Sequence, residues 1–115
     1  MLISYENEAI AARAAGVELD YIVPESTFLI ENPAAVTTTA PPVAAEFLKY
    51  VASADGQKIL AGKGFRPIDP SVTATDVPGA NDPANPFPKV TNLTTVADLG
   101  GWSAVNDSLF DKEKA

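Results

Sequence analysis

Apolar and polar positions along this chain change period several times, and each change predicts an element. Leu2-Ile3-Ser4 reads as a short extended run. It passes at once into a stretch where Ala9, Ile10, Ala12 and Ala15 favour helix. Ser4 is placed to cap this helix, Glu6 and Glu8 suit the positive end of its dipole, and Gly16 offers a left-handed stop. A helix is predicted over 5–15. The next stretches, "LDYIVPE" and "STFLIENPAAVTT", are rich in β-branched and aromatic residues and are broken by Pro24 and Pro33. Strands are therefore expected near 2–4, 19–23 and 27–36. Pro41 and Pro42 open a second helical pattern over 42–52, with Val43, Phe47, Leu48 and Val51 predicted to face a core. Ser53 recaps a third helix over 53–63, with Ile59 and Leu60 inward and Gly64 as its stop. Six prolines between Pro67 and Pro88 forbid a ladder or a long helix, so 67–88 is predicted to be a loop wrapped over the surface. Thr95 and Asp98 form a capping-box pattern. A last helix is predicted over 101–110, with Ala104, Val105 and Leu109 at helical spacing. The fold class is α/β or α+β, a small mixed sheet with about four helices. A lone strand at 2–4 lacks a neighbour to pair with, so the pattern also predicts polypeptide upstream of Met1.

Composition narrows the function classes. At 115 residues, 46% hydrophobic and 20% charged, the chain suits one modest core rather than disorder. A formal net charge of -7, from 8 basic and 15 acidic residues, argues against a nucleic-acid partner, which is held by Lys and Arg displacing counterions. Without Cys or His, the chain lacks the usual soft metal ligands and the usual general base. No apolar run is long enough to span a membrane, and the N-terminus carries no signal-peptide pattern. The absence of Cys assigns no compartment.

Few side chains suggest chemistry. Glu6 and Glu8 stand two apart, which puts them on different sides of a helix, so they read as solvated, dipole-matching groups rather than a metal or acid-base pair. Arg66 could hook an anion, but Asp69 is close in sequence, and a structural or surface role is the simpler reading. Trp102, after two glycines, reads as a packing anchor before a binding platform. Glu31-Asn32-Pro33 reads as a turn ending a strand. No nucleophile-base spacing or phosphate loop stands out, so no catalytic residue, metal site or cofactor is assigned and an enzyme is not expected.

Four separated motifs then agree in order: "LISYENEA", "VPESTFLIENPAAV", "ADGQKILAGKGFRPIDP" and "TTVADLGGW". Together they resemble the C-terminal part of the sulfate- and thiosulfate-binding proteins that serve bacterial ABC transporters. The likeness covers residues 2 to 112 and weakens around 71 to 88. It implies a fragment of a two-lobed solute-binding fold, with 1–24 a piece of the second lobe and 25–36 a hinge crossover and strand. Residues 37–115 would be a piece of the first lobe, with the loop 67–88 and the terminal helix. The family is similar in holding a desolvated dianion by neutral donors, chiefly backbone N–H groups and helix N-termini, so net negative charge does not exclude an anionic ligand. Tyr5 is the one ligand contact that the resemblance carries over. Several relatives have Trp there, and a phenol O–H would have to replace an indole N–H; the alternative is a ring packed beside the helix with its hydroxyl at the surface. The implied partners are sulfate or thiosulfate and the transporter's membrane subunits, outside the cytoplasm, with the anion site incomplete in this chain. A self-associating module, dimerising through surfaces left uncovered, and a piece of another anion-binding solute-binding protein remain open.

Overall fold

The computed structural model describes residues 1–111. Its helices are α1 (Glu6–Ala14), α2 (Val43–Ala52), α3 (Ala54–Ala61) and α4 (Gly101–Val105), and its strands are β1 (Ser26–Phe28) and β2 (Asn92–Thr94). A 3₁₀ turn, Ala97–Leu99, precedes α4, and a π-helical turn, Asn106–Phe110, follows it. The architecture is α/β, four helices with a small two-stranded sheet, as the patterning predicts. The chain forms two compact units. One is Met1–Ile22 with Pro33–Pro88, the other Val23–Asn32 with the described residues from Lys89 to Asp111.

The helix ends follow the predicted chemistry where that chemistry is local. Gly16 and Gly64 both adopt positive φ, and the N–H groups of Val17 and Phe65 reach back to the carbonyls of Ala12 and Leu60, closing α1 and α3. Ser53 Oγ accepts from Gly56 N at 3.3 Å and caps α3. Ser4 does not cap α1. The N-cap is Tyr5 in extended conformation, with no side-chain cap hydrogen bond, because the helix begins one residue later than Ser4 could serve. The last predicted helix is divided, with α4 ending at Val105 and the π turn continuing to Phe110.

The strands differ more. Residues 2–4 and 19–23 form no ladder, and β1 stops at Phe28. Its partner is β2, in parallel register Ser26 to Asn92, Thr27 to Leu93 and Phe28 to Thr94. Asn92 N to Glu25 O at 2.9 Å and Leu29 N to Thr94 O at 2.8 Å bond the two ends. A three-residue strand exists only through its partner, and this partner lies far along the chain, beyond the Pro-rich loop.

The core of the first unit overturns the expected division of labour. Ile10 of α1 is buried with Val77 and Ala80 of the Pro-rich loop, and Tyr21, Ala74 and Phe87 pack against them. The loop therefore supplies core instead of wrapping a surface. Gly79, at positive φ, lets the loop touch α1: a Cβ there would stand 2.1 Å from the Ile10 carbonyl oxygen. Asn81 fixes the approach, its N–H donating to Tyr21 Oη and its amide to the Tyr21 carbonyl, each at 3.1 Å. By contrast α2 buries no residue fully: of its predicted core stripe Val43 at 67% and Phe47 at 65% stand exposed, and Leu48 and Val51 are half-buried. Ile59 of α3 is exposed as well, and the residues α3 buries are Gly56, Gln57 and Ala61. Trp102 is exposed, not an anchor among the described residues, because the short α4 buries only Val105.

Candidate functional site

The start of α1 gathers the residues that the sequence singles out. Tyr5 stands there with 57% of its surface exposed. Its carbonyl accepts from Ala9 N at 3.3 Å, and the N–H groups of the first turn have no carbonyl earlier in the helix to bond. The positive end of the helix dipole is thus open at Tyr5.

Glu6 and Glu8 diverge, as their spacing predicts, but Glu6 is not a solvated residue. Its carboxylate, 18% exposed, receives Arg66 through Nε at 2.6 Å and Nη2 at 3.0 Å, a bidentate pair. Arg66 also donates through Nη1 to the Pro88 carbonyl at 2.8 Å, and its guanidinium lies 5.5 Å from the centre of the Phe87 ring. The expected pairing with Asp69 does not form; the Asp69 carboxylate accepts from the Ser71 hydroxyl and N–H instead. Two of the four motifs, "YENEA" and "GFRPIDP", therefore meet through one ion pair, whose positive member cancels the full negative charge nearest the start of α1.

Gln57 is a structural residue that sequence reasoning missed. Buried, it donates from Nε2 to Val51 O at 2.9 Å and accepts at Oε1 from Ile68 N at 2.9 Å. It thereby ties the end of α2 to the segment that carries Arg66. Gly56 beside it admits the close crossing, since a Cβ would stand 2.2 Å from the Tyr50 carbonyl oxygen. A buried amide needs both its donor and its acceptor satisfied, which is the physical reason for Gln in this Asp-Gly-Gln element.

Among the described residues two carboxylates are perturbed, each within a local turn. The Ser71 hydroxyl, then its N–H, hold Asp69 below the ordinary aspartate range. The Thr95 hydroxyl, then its N–H, do the same to Asp98, and Asp98 N donates back to Thr95 Oγ1 at 3.2 Å, closing the predicted capping box. These are structural hydrogen bonds, and no group of three or more metal-ligating side chains occurs among the described residues.

Comparison with known proteins bears on which family builds such an arrangement. The family model described as bacterial extracellular solute-binding protein matches residues 1–66. A sulfate-binding protein of Synechococcus elongatus is 34% identical over 121 residues, covering 96% of this chain and 31% of the relative. That of Escherichia coli is 31% identical over 118 residues, covering 96% of this chain and 34% of its own length. The structure of the sulfate-binding protein SubI from Mycobacterium tuberculosis matches with a TM-score of 0.76 at 44% identity, over 94% of this chain and 36% of that one. The chain spans about a third of the length of the curated relatives it matches. On its sequence and on its fold, this chain belongs to the bacterial extracellular solute-binding proteins.

Proposed function

We propose that this chain forms the C-terminal part of a sulfate-binding subunit of an ABC importer working outside the cytoplasm, and that it binds rather than catalyses. In this reading the anion site is shared: Tyr5 and the first turn of α1 supply some donors, and polypeptide beyond this chain supplies the rest. The observation that carries it is the electrostatic state of the α1 start, where an exposed phenol and open N–H groups stand beside a Glu6 whose charge Arg66 has drawn off. A tetrahedral dianion would meet fixed dipoles already oriented toward it, so the ordering cost falls on folding and not on binding. The similarity to sulfate-binding proteins supports sulfate, or an oxyanion of its class such as thiosulfate, as the ligand.

The test joins this chain, in one polypeptide, to the part of the M. tuberculosis sulfate-binding protein that it does not match, and titrates sulfate by calorimetry. The hybrid binds, and Tyr5→Phe weakens binding by about ten- to hundredfold, the range for one hydrogen bond to a charged group. Sulfate affinity unchanged in Tyr5→Phe would remove Tyr5 from the site. A folded hybrid that ignores sulfate would remove the function.

A further inference from the structure

Glu6 conflicts with an anion site at the start of α1. It follows Tyr5 directly and sets a full negative charge in the turn whose N–H groups are uncapped. Arg66 engages that charge completely. Both carboxylate oxygens accept from the guanidinium, Oε2 from Nε at 2.6 Å and Oε1 from Nη2 at 3.0 Å, and the carboxylate is half-buried. Arg66 is itself held from two further directions, by the Pro88 carbonyl at 2.8 Å and by the face of the Phe87 ring. The backbone delivers it to this turn: Gly64 lies so close to α1 that a Cβ there would stand 3.2 Å from Asn7 Cα. Glu8, the other acidic residue of the first turn, is exposed and screened by solvent. Stability alone does not call for the Glu6–Arg66 pair, because replacing both members of a buried ion pair with apolar groups of like volume is often neutral.

We infer that Arg66 is a positioning residue that sets the selectivity of the anion site: by withholding the Glu6 carboxylate from the start of α1, it makes the site prefer an oxyanion without a proton over one that carries a proton. The inference rests on the function proposed above and assigns a selectivity device to that same site. Sulfate has no proton at neutral pH and only accepts hydrogen bonds, so a free carboxylate repels it and offers it nothing. Hydrogen phosphate carries a proton that needs an acceptor, and a free carboxylate is one. A site that leaves such a proton unpaired rejects the ligand that carries it. With both oxygens of Glu6 committed to Arg66, the carboxylate next to Tyr5 in the chain neither repels the first ligand nor receives the proton of the second.

The hybrid with the M. tuberculosis protein is titrated by calorimetry with sulfate and with sodium phosphate, at one neutral pH and one ionic strength. Arg66→Met weakens sulfate by about tenfold or more, the cost of placing a like charge near a dianion, while phosphate falls by less or gains. The ratio of the two affinities therefore drops by about tenfold, whereas a residue that only holds the fold would move both affinities together. Adding Glu6→Gln to Arg66→Met removes the freed charge and returns the ratio to within about threefold of the parent hybrid. Arg66→Gln, which keeps a donor for the Pro88 carbonyl, takes the place of Arg66→Met should that variant not fold. A ratio unchanged when Arg66 is replaced overturns the inference. So does a ratio that falls and is not restored by Glu6→Gln, since the effect would then not pass through the carboxylate. The parent hybrid separates the two readings: sulfate binding with an unmoved ratio fails the role of Arg66 alone, and a folded parent hybrid that ignores sulfate fails the function, and the selectivity with it.

Discussion

At the scale of single residues, two contacts far apart in sequence decide how α1 is held, Glu6 with Arg66 at its start and Ile10 with Gly79 farther along. Arg66 and Glu6 are 60 positions apart, and neither the spacing nor the composition of the chain brings them together. Asp69 is the nearer carboxylate, but the path of the Pro-rich loop, not proximity in sequence, sets the partner. Removing Arg66 leaves a carboxylate with 18% exposure and no countercharge. Arg66→Met is expected to lose about 1–3 kcal/mol in urea unfolding, and Arg66→Met with Glu6→Gln together less than the sum of the single losses. Additive losses would show that the pair is not coupled. Gly79 offers a second test, because a methyl group there would meet backbone instead of a flexible side chain. Gly79→Ala should cost about 2 kcal/mol or more, and Gly16→Ala, with the same sign of φ but open space around it, about 1 kcal/mol. Equal costs would mean that the loop does not pack on α1 as described. The role of Gly16 is readable from sequence because a helix stop is local; that of Gly79 is not, since it depends on what passes nearby.

Elements show the same division. Ser53, Gly64 and the Thr95–Asp98 box predict helix ends correctly because each satisfies backbone groups within a few residues. β2 escapes notice because three residues, Asn92–Thr94, carry too short a pattern and pair with a strand across the Pro-rich loop. The run "VTNLTT" over 90–95 holds the β-branched signal that could have found it. The capping box makes a prediction with a definite sign. The pKa of Asp98 is lowered in the fold, first by the Thr95 hydroxyl and then by its N–H. The stability it lends is therefore whole above the unfolded aspartate value of about 3.9, and is lost as pH falls through the lower folded value. Carboxyl-carbon NMR of Asp98 should give a midpoint below the ordinary value, and Thr95→Ala should return it upward. A midpoint at or above the ordinary value would contradict the box. For α2 the sequence is right about the amphipathic stripe and wrong about its neighbour: periodicity reports which face is apolar, never what covers it.

At the scale of the whole molecule, the chain corresponds to about a third of the sulfate-binding proteins it resembles. Overall class, helix count and family likeness were legible because they rest on local patterning and on motifs kept in order. The core was not, because hydrophobic spacing pointed to α2 while the burial went to a loop whose prolines fix turns and whose Val77 and Ala80 reach Ile10. Of the proposed site the sequence offered Tyr5 alone; the Glu6–Arg66 pair next to it in the chain needed the fold. Sharing of the anion site is the central claim, and calorimetric titration of this chain alone with sulfate tests it most directly. The account predicts no binding in the micromolar range or tighter by the isolated chain, since one exposed phenol and one helix start cannot desolvate a dianion. Micromolar or tighter binding of one sulfate per monomer by this chain alone would contradict it.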